Sequence, residues 1–413
     1  MATQKGIFDV IVIGAGPSGA VASALLNKRG YNVLVLERSH FPRFSIGESL
    51  LPQSMAFLEQ ADMLEAVQAA GFQFKDGAAF SCGERYEFFN FNEKFSEGWG
   101  TTFQVQRDIF DKVLADEAAR QGVDIRYGQS VTRFDYDENL GVAAVEVVDE
   151  AGLTQQFHAK FVLDGSGYGR VLPKLLNLEK AANFEPRTSL FTHVEDAISD
   201  PDYDRNKILI TVHPQHRDVW YWLIPFSNAR SSVGVVASKT FIDALPGTDE
   251  EKLKQLIAES GWMSDLLASA TFDTRIGSMT GYACDVTQMY GPGYALLGNA
   301  GEFLDPVFSS GVTIAFKSAS LAVDVLSQQL QGGTPDWQQQ FVRPLQHGVN
   351  TFREFVEGWY DGRLQDVIFT TQKNDPVKRM ISSILAGYAW DIKNPFVKDS
   401  KRLTALAELC RNI

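Results

Sequence analysis

The residues between Phe8 and Glu37 carry the clearest chemical pattern of this chain. A β-branched run, FDVIVI, leads into glycines in GxGxxG spacing, and a second strand-like run, YNVLVLER, ends near an acidic residue. Such glycines permit a tight turn and a close backbone approach to a pyrophosphate, and the acid accepts hydrogen bonds from a ribose. A loop that only turns the chain would leave Glu37 unexplained, so the pattern predicts a dinucleotide site. Its predicted contacts are Gly14, Gly16, Pro17, Ser18, Gly19, Glu37 and Arg38.

Composition narrows the classes of protein that could carry this site. The 413 residues have a formal net charge of −13, which disfavours nucleic acid as a partner. The three cysteines form no CxxC pair, which is typical of a reducing compartment, and the histidines lack metal-ligand spacing, so no metal is expected. No run of about 20 apolar residues and no cleavage site follow the N-terminus, so we expect a cytoplasmic enzyme.

Three further segments indicate which dinucleotide binds. They are a helix start at Arg107, a strand leading into glycines that contains Asp164, and the stretch YALLGNAGEFLDPVFSSG, which contains Gly298 and Asn299. Together with the glycine loop they resemble FAD-dependent aromatic hydroxylases and their relatives. The resemblance implies FAD contacts at all four residues. The family usually has Gly-Asp where this chain has Gly298-Asn299, and no second strand-GxGxxG-helix unit indicates a separate NAD(P)H domain.

Within that superfamily, four separated motifs resemble flavin-dependent halogenases of the phenol/pyrrole type. WYWLIP matches W-x-W-x-I-P, and FLDPVFSSG matches F-x-x-P-x-x-S-x-G. GESLLP lies near the flavin in such relatives, and FKDGAA places a lysine before Gly-Ala, as they do. The tryptophan-halogenating branch has a glutamate where this chain has Phe308, which disfavours free tryptophan as substrate. The motif residues are Trp220, Trp222, Ile224, Pro225, Phe303, Pro306, Ser309, Gly311, Glu48, Ser49 and Lys75.

The resemblance implies an enzyme that uses FADH2, O2 and halide to form hypohalous acid. FADH2 would come from a separate NAD(P)H-dependent flavin reductase. Lys75 and Ser309 would be catalytic, and the N–H groups of Ser310 and Gly311 at a helix start would hold the halide. Pro306 and Gly311 would also contact FAD. The residues that would separate substrate from flavin are Trp220, Trp222, Ile224, Pro225, Glu48, Ser49 and Phe303.

Each of these residues also has a simpler interpretation. Alternation in a strand puts Trp220 and Trp222 on one face, where two indoles could serve only as core packing. Lys75 could be a solvated surface charge, and Ser309 could be the N-cap of the helix that follows. Glu48 and Ser49 could be structural turn residues.

The order of the elements predicts an α/β fold with a Rossmann-like, doubly wound FAD-binding domain, an antiparallel β-sheet substrate domain and a C-terminal helical segment. The FAD-binding domain is predicted at 1–80, 101–185 and 275–330, the substrate domain at 81–100 and 186–274, and the helical region at 331–413.

Residues 373–413 are basic on an acidic chain, with eight Lys or Arg and four Asp or Glu. They would form either a helical cap on the FAD domain or a docking face for an acidic carrier protein, with anionic membrane contact as a third option. The expected function is halogenation of an electron-rich aromatic, free or carrier-tethered. The alternatives are an FAD-dependent monooxygenase or dehydrogenase and a flavin-binding protein without turnover. Halide preference and oligomeric state stay open.

Overall fold

Two large sheets, two two-stranded sheets and a set of helices make up the described part of the chain. The computed structural model describes residues 6–182, 184–371, 374–399 and 401–411. The strands are β1 (Phe8–Ile13), β2 (Val33–Leu36), β3 (Gln73–Lys75), β4 (Gly77–Cys82), β5 (Arg85–Asn90), β6 (Thr102–Gln104), β7 (Asp124–Arg126), β8 (Gln129–Asp137), β9 (Val142–Asp149), β10 (Thr154–Asp164), β11 (Glu179–Lys180), β12 (Arg187–Glu195), β13 (Lys207–Val212), β14 (Trp220–Pro225), β15 (Arg230–Ser238), β16 (Gly277–Thr280), β17 (Asp285–Val286), β18 (Tyr290–Gly291) and β19 (Tyr294–Leu296). The two-stranded sheets are β11–β17 and β3–β6.

The helices alternate with the strands at first and then follow one another. They are α1 (Pro17–Lys28), α2 (Gln53–Gln60), α3 (Leu64–Ala69), α4 (Arg107–Arg120), α5 (Val171–Leu175), α6 (Lys239–Ala244), α7 (Asp249–Ala258), α8 (Trp262–Leu266), α9 (Gly311–Leu330), α10 (Arg343–Tyr360), α11 (Arg363–Ile368), α12 (Asp375–Leu385), α13 (Pro395–Lys398) and α14 (Lys401–Arg411). None of the described helices is long and apolar enough to cross a membrane.

The first sheet contains the predicted nucleotide unit. Its order is β18-β19-β10-β1-β2-β7, and the strands from β19 to β7 pair in parallel. Val10 and Val12 of β1 pack with α1 and α9 on one face, while Ile11 and Ile13 face the opposite core, as strand alternation requires. The doubly wound α/β prediction is confirmed.

The second sheet has the order β16-β12-β15-β14-β13-β4-β5, antiparallel except for the β13–β4 pair. Its inner face turns Ile208, Trp220 and Trp222 toward the main core, and its outer face is covered by α7 and α8. This sheet takes more of the chain than the sequence predicted. β4 begins at Gly77, ahead of the predicted boundary at residue 81, and β16 lies beyond the predicted end at residue 274.

The C-terminal helices belong to the same core. Trp359 of α10 is fully buried and packs edge-on against Phe308, with Phe80 of the second sheet 5.8 Å away between ring centroids. The apolar stretch from Ile381 to Trp390 is likewise mostly buried. Residue Lys373 of the predicted basic segment lies outside the described residues.

Candidate functional site

One cavity of about 650 Å³ joins the two sheets. It begins at the carboxyl ends of β1, β2 and β10, where ligands of open α/β sheets bind, and reaches the inner face of β14. Its volume lies within the usual range of ligand sites. The predicted site residues that line it are Gly14, Gly16, Pro17, Ser18, Glu37, Arg38, Glu48, Ser49, Arg107, Trp220, Trp222, Ile224, Asn299, Phe303, Pro306, Ser309 and Gly311.

The turn after β1 depends on glycine at two positions. Gly14 has φ +89°, and a Cβ on Gly19 would lie 1.9 Å from the Gly14 carbonyl oxygen, so helix α1 could not pack on β1 with any other residue there. A Cβ on Gly16 would meet only the Arg43 guanidinium at 3.3 Å and Asp111 at 3.9 Å, which leaves room above the loop. Gly19 itself does not line the cavity, because its task is helix–strand packing.

Glu37 is buried and anchors the ends of the loop. One carboxylate oxygen accepts the N–H of Ala15 at 2.9 Å and the other accepts the N–H of Ser39 at 2.9 Å. Each oxygen has a second acceptor site, so hydrogen bonds to a ribose are still available.

Two predicted FAD contacts, Asp164 and Gly298, also have structural tasks. Asp164 is fully buried, and its oxygens accept the N–H groups of Ser166 at 2.9 Å and Leu172 at 2.7 Å, which fixes the loop after β10. Gly298 donates its N–H to Ser318 and lies where a Cβ would be 2.9 Å from Ala315 of α9. Both sit at strand ends, where a cofactor contact and a packing requirement look alike in sequence.

Three arginines line the cavity, Arg38, Arg43 and Arg107, and the sequence indicated the first and the last of them. Arg107 forms a two-point pair with Asp111 and donates to the carbonyls of Ile46 and Gly47 at 2.7 and 3.2 Å. Burial would lower the pKa of Arg107, but the Asp111 carboxylate more than offsets this and the net shift is upward. Most of its donors are therefore already engaged. Arg43, beside Gly16, is the more available cation for a phosphate, and no motif had indicated it.

The inner face of β14 forms an apolar wall. Trp220 and Trp222 lie on one face with ring centroids 6.0 Å apart, and the Trp222 indole covers Gly234, where a Cβ would be 2.3 Å from the ring. Its Nε1 donates to Ser232 at 3.0 Å. The predicted common face of the tryptophans is present, but Pro225 does not line the cavity, because alternation turns it the other way.

The start of α9 departs from the expected capping. Ser309 has φ +55°, an uncommon conformation for a residue other than glycine, and Ser310 occupies the N-cap position without a side-chain cap bond. The alternative that Ser309 is the N-cap is therefore wrong. Ser310 is buried and does not line the cavity, whereas Ser309, Gly311 and Val312 do.

A chain of hydrogen bonds joins the W-x-W-x-I-P motif to the F-x-x-P-x-x-S-x-G motif through Tyr360 of α10. Trp220 Nε1 donates to the Tyr360 hydroxyl at 3.0 Å, which donates to Asp305 at 2.8 Å. Burial raises the pKa of Asp305 to about 6, partly offset by the N–H of Val307 and by Tyr360. The Arg187 guanidinium lies 3.5 Å from the centre of the Tyr360 ring. No sequence motif indicates that α10 completes this site.

Lys75 is 1% exposed and stands one residue behind the cavity wall. Its Nζ donates to the Ser49 hydroxyl at 2.7 Å and to the Leu50 carbonyl at 2.8 Å, and Ser49 lines the cavity. Burial lowers the pKa of Lys75 to about 7, and no carboxylate pairs with it among the described residues. The alternative of a solvated surface lysine is wrong, because the side chain is enclosed.

Glu48 pairs with a histidine that the sequence did not indicate. Its Oε1 lies 2.6 Å from His193 Nε2, while Oε2 is buried and has no hydrogen-bond partner in the described part of the chain. The two residues are 145 positions apart, so no local pattern could have joined them.

The predicted basic docking face is only partly present. Lys378 pairs with Glu87 at 2.6 Å, and Arg379 donates to the Glu93 carbonyl at 3.0 Å. The apolar residues between Ile381 and Trp390 are mostly buried, so they contribute packing rather than an apolar docking surface.

FAD fits the residues that are present. The glycine loop offers space above Gly16, helix α1 has no side-chain cap at Gly16, and Arg43 supplies a cation beside it. A helix N-terminus with free N–H groups favours a pyrophosphate.

Comparisons with known proteins agree on the cofactor and the fold. A family model described as "FAD binding domain" matches residues 8–335. A crystal structure of a flavoprotein/dehydrogenase from Cytophaga hutchinsonii is 44% identical, with a TM-score of 0.95 over 98% of this chain and 99% of that chain.

Curated relatives are named as halogenases. A tryptophan 2-halogenase from Chondromyces crocatus is 29% identical over 78% of this chain and 62% of its own length. The chain thus spans less than two thirds of that relative. A 1H-pyrrole-2-carbonyl-(peptidyl-carrier protein) chlorinase from Pseudomonas fluorescens is 26% identical over 96% of this chain and 92% of that one.

Proposed function

The chain belongs to the FAD-binding-domain family, as a member of its flavin-dependent halogenases, and from that premise we propose that it halogenates an electron-rich phenolic or pyrrolic ring. It is an FAD-dependent oxidoreductase. Halide, O2 and a separate flavin reductase are the proposed co-reactants and partner, and the substrate is free or tethered to a carrier protein.

The observation that carries the proposal is the arrangement at the far end of the cavity. The wall of Trp220 and Trp222, and Ser49 backed by the buried Lys75, bound the same space that begins at the glycine loop. Bound FADH2 would supply the electrons that activate O2. The indole wall would keep the aromatic ring away from the flavin, so that an oxidised halogen rather than oxygen reaches it.

Lys75 and Ser49 would hold the oxidised halogen by hydrogen bonding. A neutral lysine amine has two N–H donors, which matches its two acceptors, and leaves a lone pair. With a pKa of about 7, amine and ammonium forms are both present near neutral pH. Because Ser49 stands between Nζ and the cavity, its hydroxyl would be the group that touches the halogen unless the loop shifts.

The halide itself would sit at the start of α9. The N–H groups of the first turn have no carbonyl partner within the helix, and the helix dipole favours an anion there. The lining residues Gly311 and Val312 are the donors nearest the cavity, while the Ser309 backbone turn would present the hydroxyl beside them.

An FAD-dependent monooxygenase or dehydrogenase is the second candidate. Two observations favour it, namely the position of Lys75 behind Ser49 and the similarity to the flavoprotein/dehydrogenase from Cytophaga hutchinsonii. In that case the indole wall would shape a substrate site directly beside the flavin.

Reconstitution with FADH2 from a reductase, O2 and bromide or chloride separates the candidates. A phenol and a carrier-bound pyrrole-2-carboxylate are offered, and products are identified by mass. A halogen mass shift that depends on halide supports the proposal. An oxygen mass shift, or oxidation without halide dependence, supports the second candidate.

A further inference from the structure

A buried carboxylate faces the substrate end of the cavity with one oxygen unpaired. Glu48 is 1% exposed and lines the cavity, and its Oε2 has no partner among the described residues. Leaving a buried carboxylate oxygen unpaired is costly, so such groups in native proteins usually have a task. A hydrogen-bond donor on the substrate is the simplest group that would pair with Oε2.

The other oxygen of Glu48 is joined to a histidine that reaches toward solvent. His193 Nε2 lies 2.6 Å from Oε1, and the His193 side chain is 21% exposed. Its other ring nitrogen has no hydrogen-bond partner in the described residues. The imidazole therefore holds one oxygen of the cavity carboxylate and leaves the other oxygen available to accept a proton.

The sheet register places this pair beside the indole wall. His193 pairs with Ser232, which pairs with Ile224, and Phe191 pairs with Gly234, beneath Trp222. Phe44 is 58% exposed and covers His193, with ring centroids 5.8 Å apart. The pair thus stands at the end of the wall, near the mouth of the cavity.

Glu48 and Ser49 are consecutive residues at the substrate end, and each has its own partner. Ser49 is held by Lys75, whereas Glu48 is held by His193, and the backbone of Glu48 is fixed by a bond from the Val105 N–H at 2.7 Å. The halogen-holding group and the carboxylate therefore sit on one rigid segment, at a fixed spacing from each other.

The charges around His193 favour its protonated form, and Arg107 lies close enough to interact with the charge of Glu48. Burial lowers the pKa of His193, but the hydrogen bond and charge of Glu48 outweigh it and the net shift is upward. Arg230 of β15 opposes this shift and Asp108 of α4 supports it. A carboxylate beside an imidazolium is the state that can accept a proton.

We propose that Glu48 and His193 form the pair that ionises an acidic O–H or N–H of the aromatic substrate, an inference that rests on the proposed halogenation. The substrate O–H bond breaks, an O–H bond forms on Glu48 Oε2, and the electron pair stays on the substrate oxygen. His193 keeps its Nε2 proton hydrogen-bonded to Oε1 and holds the carboxylate in place, and Glu48 passes the substrate proton to solvent through the mouth of the cavity when the product leaves. The richer ring then attacks the electrophilic halogen.

This role makes the pair a determinant of substrate class. A ring bearing an ionisable donor would be activated, whereas an O-methylated ring of similar electron density would not. General-base assistance of this kind contributes about 10²–10⁴-fold.

The test compares halogenation of phenols of graded acidity by the FAD-loaded protein. We expect Glu48→Gln to lose about 10²-fold in kcat/KM on weakly acidic phenols and little on phenols already ionised at the assay pH. The O-methylated ring should react equally slowly with both proteins. His216→Asn, which changes an exposed histidine outside the cavity, is the matched control and should behave as wild type. An equal loss on every phenol, or no loss on any, would overturn the role.

A binding measurement without turnover separates this inference from the proposed function. A nitrophenol mixed with the protein carrying oxidised FAD should show more phenolate absorbance than with Glu48→Gln. If wild type ionises the phenol but incorporates no halogen, the proposed function fails and the pair stands. If wild type halogenates but both proteins give the same phenolate absorbance, the pair fails alone. Should Glu48→Gln not fold, His193→Gln serves instead, with an intermediate loss expected because the carboxylate is kept but loses the cation that orients it.

Discussion

The two ends of the cavity are built in different ways. At the nucleotide end, Glu37 and Asp164 have both carboxylate oxygens bonded to backbone N–H groups, and Arg107 is engaged by Asp111. At the substrate end, Lys75, Glu48 and Asp305 are buried: burial lowers the pKa of Lys75 to about 7 and raises that of Asp305 to about 6, and Glu48 Oε2 has no hydrogen-bond partner among the described residues. Saturated groups hold a shape, whereas unsatisfied ionisable groups in a cleft are where chemistry is expected.

The contrast predicts that substitutions at the nucleotide end remove structure, and that those at the substrate end remove activity while structure is kept.

The largest effect is expected at Gly19. A Cβ there would lie 1.9 Å from the Gly14 carbonyl oxygen, so Gly19→Ala should cost at least about 1–3 kcal/mol in stability and abolish FAD retention. FAD content by absorbance and the Tm measure this. Gly6→Ala, where no atom lies within 4 Å of the added Cβ, is the control and should retain both. A variant at Gly19 that binds FAD normally would show that the packing argument is mistaken.

Substitution of Lys75 should raise the stability of the protein, whereas substitution of Gly19 should lower it. Its folded-state pKa is lowered from 10.5 to about 7, so folding penalises the ammonium, and the penalty grows as pH falls from 10.5 to 7. A shift of this size corresponds to a cost on the order of 4–5 kcal/mol, offset in Lys75→Met by about 1–3 kcal/mol for the unpaired Ser49 and Leu50 acceptors.

We therefore expect Lys75→Met to be more stable than wild type at pH 7, with the difference shrinking as pH rises toward 10. Chemical unfolding at several pH values measures it. Lys254→Met, at an exposed lysine of α7, should show no such pH trend. A difference in unfolding free energy that is constant with pH would contradict the buried, uncharged lysine.

The chain of Trp220, Tyr360 and Asp305 should give a medium effect. Tyr360→Phe leaves the indole N–H and the carboxylate oxygen without a partner, at about 1–3 kcal/mol, and should lower product formation about tenfold. Because the lost bond is to the charged form of Asp305, whose pKa is about 6, the loss in unfolding free energy should be larger above pH 6 than below it.

The matched control is Tyr203→Phe. The Tyr203 hydroxyl is buried with no partner among the described residues, so its removal should not destabilise the protein. Equal destabilisation by Tyr360→Phe and Tyr203→Phe would mean that the hydrogen bonds of the Trp220–Tyr360–Asp305 chain contribute nothing to stability.

The smallest effect is expected at the basic C-terminal segment. Lys378→Glu should slow turnover of a carrier-tethered substrate about three- to tenfold and leave a free substrate unaffected, because charge mainly sets the encounter rate. The reversal also opposes Glu87, so the swap of Lys378→Glu with Glu87→Lys restores the pair and controls for local structure. If Lys378→Glu turns over the carrier-tethered substrate at the wild-type rate, the hypothesis that a carrier protein docks at this face is wrong.

The same division explains what could be predicted from the sequence. The glycine spacing and Glu37 lie within one βαβ unit, so local pattern was sufficient for the nucleotide end. Strand alternation also placed Trp220 and Trp222 on one face. Asp164 and Gly298 show why strand ends are ambiguous in sequence, because acids and glycines there serve packing as well as ligands; an FAD contact at either residue stays a prediction.

The substrate end depends on contacts that no local pattern encodes. Glu48 meets His193 across 145 positions, and Trp220 meets Tyr360 across 140, through a helix predicted to lie in a separate region. Lys75 was found by resemblance, but its place behind Ser49 follows from the β3–β6 pairing, which only the fold shows.

The central claim is that the nucleotide end binds FAD as any flavin enzyme would, while the residues at the substrate end direct the reaction to halogenation. It is tested most directly by single-turnover reactions of wild type and Lys75→Met with FADH2, O2 and bromide, following flavin reoxidation by absorbance and product by mass. The account predicts equal flavin reoxidation in both proteins and a brominated product from wild type alone. Brominated product from both at similar rates, or an oxygenated product from wild type, would contradict it.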